Sequence, residues 1–139
     1  MDKELKRSII IDHYQNSSHR KRHEEDEYTK INSNNVSCID NIDLYLKIEN
    51  NIIKDLSFEG EACVISISST SILTNNLIGK TTVEALNIID NYLKMINEED
   101  YNHEVIKDLI VFDDVSRQPS RIKCATLVAT ELKKYLNNV

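Results

Sequence analysis

The chain has 139 residues, 40% hydrophobic and 29% charged, which suits one soluble domain with a real core, spanning 1–139. A formal net charge of −6 speaks against a general nucleic-acid binder or a protein drawn to anionic membranes, and leaves proteins or metal ions as the expected partners. No stretch approaches the roughly 18 consecutive apolar residues of a membrane helix, and residues 1–8 are too polar for a secretory leader, so a cytoplasmic location is expected.

In chain order, Leu5, Ile9, Ile10 and Tyr14 recur at helical spacing and predict a first amphipathic helix over about 2–16. The basic block His19 to His23 and the acidic block Glu24 to Glu27 contain nothing to bury and read as a solvated loop. An edge strand is expected to begin at Tyr28 to Ile31. Alternation of Ile42, Leu44, Leu46 and Ile48 with Asp43, Tyr45 and Lys47 is a half-buried strand. Turn chemistry at Glu49-Asn50-Asn51 then leads into a second strand over 52–58, so the two form an antiparallel hairpin. The serine-rich run 64–78 is read as a helix stopped by Gly79. Thr81 or Thr82 caps a third helix whose stripe is Ala85, Leu86, Ile89, Tyr92, Leu93 and Ile96. A short helix over about 107–116 and a closing helix from Pro119, carrying Ala125, Val128, Leu132 and Tyr135, complete the chain. Strands followed by helices favour an α+β fold, a small antiparallel sheet of about three strands with helices packed on one face.

The three cysteines all fall in short segments rich in polar and charged residues: Cys38-Ile39-Asp40, Glu59-Gly60-Glu61-Ala62-Cys63 and Arg121-Ile122-Lys123-Cys124-Ala125. An odd number of thiols in a reducing compartment leaves metal binding, catalysis or plain burial in place of a disulfide framework. In an extended backbone Cys38 and Asp40 point the same way, and the hairpin returns Cys63 to their end of the sheet. Cys124, early in the last helix beside Arg121 and Lys123, is expected to favour a thiolate. Three thiolates and a carboxylate suit zinc, and sulfur-rich sites also hold iron-sulfur clusters. His13, His19, His23 and His103 lack ligand-like spacing and are read as surface or helix-end residues. A Cys-His-Asp hydrolase would need one cysteine set apart as nucleophile, which three cysteines sharing one acidic companion do not offer. The hydroxyls of Ser66, Ser68, Ser69, Thr70 and Ser71 lack the glycine-rich loop and lysine of a phosphate site, which leaves them a small-residue packing face.

These segments resemble the U-type iron-sulfur assembly proteins, the group of IscU, the amino-terminal domain of NifU and the zinc-binding SufU proteins. The likeness runs from Ile11-Asp12-His13-Tyr14 through Glu59-Gly60-Glu61-Ala62-Cys63 to Val115-Ser116-Arg117-Gln118-Pro119-Ser120-Arg121-Ile122-Lys123-Cys124-Ala125. Lysine before the last cysteine, and a separation of 61 positions from Cys63 to Cys124, are similar to the SufU branch. The resemblance implies Cys38, Asp40, Cys63 and Cys124 as Zn2+ ligands, with a 2Fe-2S cluster as the alternative occupant. It also implies Cys38 as the thiol that takes persulfide sulfur from a SufS-like cysteine desulfurase, for delivery to the iron-sulfur assembly machinery, with Arg121 and Lys123 in support. Scaffolding of a 2Fe-2S cluster and a structural zinc module are the other functions it allows. Ile39 and Ala62 stand where the family usually has glycine, so any positive φ used there would meet a Cβ.

Overall fold

The computed structural model describes residues 1–34 and 39–139. Helix α1 (Lys3–Gln15) starts at Asp2, whose carboxylate accepts a hydrogen bond from the Leu5 amide at 2.8 Å. Strands β1 (Thr29–Asn34), β2 (Asn41–Glu49) and β3 (Ile52–Glu61) form one antiparallel sheet in that order. The β2–β3 turn is built on Asn50 and Asn51, both at positive φ (54° and 62°), the backbone that a two-residue hairpin requires. β3 runs three residues beyond the expected end at Phe58, which carries the hairpin to the threshold of Cys63.

Helices cover the sheet face formed by Ile42, Leu44, Leu46, Leu56 and Phe58, all essentially inaccessible to solvent. At the centre lies α2 (Val64–Leu77), buried continuously from Ser66 to Thr74. A helix surrounded on nearly every side has no polar stripe, and its short hydroxyl side chains let neighbours approach closely. Three of these hydroxyls are satisfied within the helix, Ser68 donating to the Val64 carbonyl at 2.7 Å, Ser69 to the Ser66 carbonyl at 3.1 Å and Thr70 to the same carbonyl at 2.7 Å, while Ser66 and Ser71 pair with Asp40 and His13. The expected small-residue packing face is thus present. Helix α3 (Thr82–Ile96) opens with a reciprocal capping box between Thr81 and Glu84. It sends the buried Tyr92 hydroxyl to the Ala125 carbonyl at 2.7 Å, tethering the early turns of α5 (Pro119–Asn137).

Two expectations change. Over 107–116 there is no α-helix; a four-residue α4 (His103–Ile106) is followed by 3-10 turns at Lys107–Phe112 and Val115–Arg117. The break falls at Lys107, whose φ of 47° cannot continue an α-helix. Lys6 of α1 pins the segment by bridging Asp113 at 2.6 Å and Asp114 at 3.2 Å, and this pairing raises the lysine pKa. The 19–27 run is also more than a solvated loop. The His19 carbonyl accepts from the Phe58 amide at 3.0 Å on the free edge of β3. His23 stacks on Tyr28 with centroids 4.0 Å apart and meets Tyr45 edge-on, so it covers the outer face of the sheet. The expectation of a surface or helix-end role for His23 is corrected accordingly; its side chain is 9% exposed.

Gly60 sits at φ +148° opposite Ile42, and a Cβ there would lie 2.1 Å from the Asn41 carbonyl oxygen. Gly79, at φ +85°, has open space around it. Gly60→Ala is therefore expected to destabilise by about 2–4 kcal/mol and Gly79→Ala by only about 1 kcal/mol. Chemical denaturation of both variants checks this, and equal losses would contradict the account of the sheet end.

Candidate metal centre

Three elements converge at the end of the hairpin: the residue before β2, the N-terminus of α2 and the second turn of α5. They bring Asp40, Cys63 and Cys124 together, with one ligand atom from each lying within 4.8 Å of the others. Tetrahedral zinc with sulfur at about 2.3 Å and oxygen at about 2.0–2.2 Å spaces its ligand atoms at roughly 3.5–3.8 Å. The Cys63 sulfur and Asp40 Oδ2 are 4.0 Å apart. Two sulfurs and a carboxylate are donor types that zinc takes, and the Cys63–Asp40 pair lies slightly wider than a bound ion would draw it. Cys38, the fourth residue of the expected set, lies outside the described residues.

Asp40 is 1% exposed and its carboxylate is tied to α2. Oδ1 accepts from the Cys63 amide at 2.8 Å, and Oδ2 accepts from the Ser66 hydroxyl at 2.6 Å. Cys63 is the N-cap of α2, its sulfur receiving the Ser66 amide at 3.5 Å. The sulfur that meets a helix-terminal amide therefore belongs to Cys63 and not to Cys124. Cys124 is the sixth residue of α5, past the first turn's unpaired amides. Its thiol is pushed up to about 12, first by burial and then by hydrogen bonding with Cys63 and Asp40. The expectation of a charged Cys124 is thus reversed for the metal-free protein.

Arg121 and Lys123 are both exposed on the first turns of α5, one on either side of Ile122. Arg121 joins Arg7 and Arg117 around a groove of about 1200 Å³ that runs from Cys63 along α1, floored by Ile10, Val64 and Ile65. Ala62, in the position expected to be troubled by a Cβ, takes no positive φ. Among the described residues that backbone is confined to Asn50, Asn51, Glu98, Lys107 and the two glycines. Ile39 is 75% exposed beside the site. Ser66 is the site residue that the sequence did not reveal; its place three positions after the N-cap of a buried helix was the available signal.

The family model described as NifU-like N terminal domain matches residues 5–135. The chain is 35% identical over 131 residues to the zinc-dependent sulfurtransferase SufU of Bacillus subtilis (strain 168), covering 94% of this chain and 88% of that one. It is 36% identical over 105 residues to the iron-sulfur cluster assembly scaffold protein IscU of Thermotoga maritima, covering 76% and 74%. The crystal structure of FiSufU from Fervidobacterium islandicum AW-1, a candidate assembly scaffold for the SUF system, superposes with a TM-score of 0.88 at 31% identity, over 92% of this chain and 93% of that one.

A thiol raised from its ordinary 9.0 to about 12 contributes stability that is complete below about pH 9 and lost as pH climbs toward 12. In the metal-free protein, alkylation of Cys124 at pH 8 is expected to be far slower than that of a free cysteine and to accelerate only in that alkaline window. Mass mapping of the modified cysteine checks it, and rapid labelling of Cys124 at pH 8 would contradict it.

Proposed function

This chain belongs to the NifU-like N-terminal domain family, and from that premise we propose that it is a zinc-dependent sulfur acceptor in iron-sulfur cluster assembly. It would receive persulfide sulfur from a cysteine desulfurase of the SufS kind and pass it to the assembly machinery. The observation that carries this reading is the convergence of Asp40, Cys63 and Cys124 at one end of the hairpin. Cys38 completes the ligand set by sequence. The similarity to Bacillus subtilis SufU and the lysine before Cys124 favour the sulfur-transfer branch.

Zinc, when bound, supplies a positive charge that keeps thiols deprotonated and shields them between turnovers. Asp40, buried and held by α2, fixes one ligand position. Cys63 and Cys124 fix two more from separate helices, so the framework stays in place while sulfur is exchanged. The Cys38 thiolate attacks the outer sulfur of the donor persulfide. A new S–S bond forms on Cys38 as the donor's S–S bond breaks, and the electron pair leaves on the donor's cysteine thiolate. Arg121, with Arg7 and Arg117, makes no ion pair among the described residues. Their cationic rim beside Cys63, in a chain of net charge −6, suits docking of the donor.

A second reading, a scaffold on which a 2Fe-2S cluster is built, is favoured by the similarity to the Thermotoga maritima IscU. Incubation with a purified desulfurase and cysteine separates the possibilities. The sulfur-acceptor reading predicts faster desulfurase turnover and a persulfide on Cys38 by mass spectrometry, both lost in a folded Cys38→Ser variant. Unchanged turnover with no persulfide would leave a structural zinc module, and iron with acid-labile sulfide in the purified protein would favour the scaffold.

A further inference from the structure

Ser66 departs from the pattern of Ser68, Ser69 and Thr70 in α2. Ser68, Ser69 and Thr70 donate to carbonyls of their own helix, at 2.7, 3.1 and 2.7 Å. Ser66 stands three residues after the N-cap, where the helix has no carbonyl four positions earlier to receive it. Its hydroxyl crosses to Asp40 Oδ2 at 2.6 Å, with the Cys124 carbonyl at 3.3 Å and the Cys63 sulfur at 3.5 Å around the same oxygen. A hydroxyl has one proton, and the short contact with the carboxylate claims it. The Ser66 oxygen can then accept from a protonated Cys63 thiol. When a metal takes that thiol's proton, the bond to Asp40 is untouched.

We propose that Ser66 is a positioning residue of the metal centre, which with the Cys63 amide clamps both Asp40 oxygens and so fixes the rotation of the carboxylate toward the two sulfurs. This rests on the reading that Asp40, Cys63 and Cys124 hold a metal. Carboxylates that ligate metals are commonly oriented by such hydrogen bonds, whose loss weakens metal affinity about 10–100-fold. Without the Ser66 hydroxyl, Oδ2 loses the bond that aims it, while the Cys63 amide still holds Oδ1, and part of the preorganisation that the clamp supplies is lost. The side chain is 1% exposed, so water has little room to take the place of the missing hydroxyl.

The test is zinc affinity by competition with a chromophoric chelator for wild type, Ser66→Ala and Ser68→Ala, with circular dichroism to verify folding. Ser68 is 0% exposed and, among the described residues, bonds only to its own helix, which makes it the matched control for loss of a buried hydroxyl. Ser66→Ala is expected to bind zinc about 10–100-fold more weakly, Ser68→Ala close to wild type. In the cobalt-substituted proteins, the d–d bands should move in Ser66→Ala and stay in place in Ser68→Ala. Ser66→Thr and Ser66→Val, alike in shape and different in the hydroxyl, repeat the comparison if Ser66→Ala does not fold, with threonine the tighter binder. Ser66→Ala binding as tightly as wild type, or threonine and valine binding equally, would overturn the proposal. A wild type that binds no zinc or cobalt would overturn the metal reading beneath it.

Discussion

The buried carboxylate of Asp40 is the contact on which the rest of the site depends. Placing a carboxylate at 1% exposure costs several kcal/mol unless hydrogen bonds or an opposite charge replace its water. Here the backbone amide of Cys63 and the hydroxyl of Ser66 do part of that work. The same two bonds fasten the entry of β2 to the start of α2, and α2 packs in the buried core against α1, α5 and β3. Site and core are therefore joined through one side chain, and a change at either should be felt at the other.

Positioning of the sulfurs follows from that attachment. Antiparallel pairing of β2 with β3 sets Asn41 opposite Glu61, which leaves two residues of chain between the Asp40 end of the sheet and Val64. Gly60 lets the strands close up where a side chain would collide with the Asn41 carbonyl. Cys124 arrives from a different direction, on a helix held by the Tyr92 hydroxyl at the very next residue. Two independent supports, one from the sheet and one from α3, thus bring the sulfurs to a common point.

Much of this was legible in the sequence because it depends on local periodicity. Alternation in β2, the Asn50-Asn51 turn and the Thr81 cap each specify their own backbone, and hairpin topology alone carries Cys63 to Asp40. Features set by distant partners were not legible. His23 is largely covered by Tyr28 and Tyr45, against the charged character of its neighbours in sequence. The segment 107–117 bends into 3-10 turns around a positive φ at Lys107 and is held by Lys6, about a hundred residues away in the chain. For Cys124, nearness to a helix start suggested a thiolate, but burial against Cys63 and Asp40 outweighs the charges of Arg121 and Lys123, which project to solvent.

The family places the chain in iron-sulfur assembly, and the chain's own residues add a donor set of sulfur and carboxylate within 4.8 Å of one another, a candidate metal site. The most direct test of that central claim is elemental analysis of the protein purified without added metal, alongside a Cys63→Ser variant. The account predicts about one zinc per chain in the wild type and loss of most of it in the variant. Metal-free wild-type protein, or zinc retained in full without the Cys63 sulfur, would contradict it.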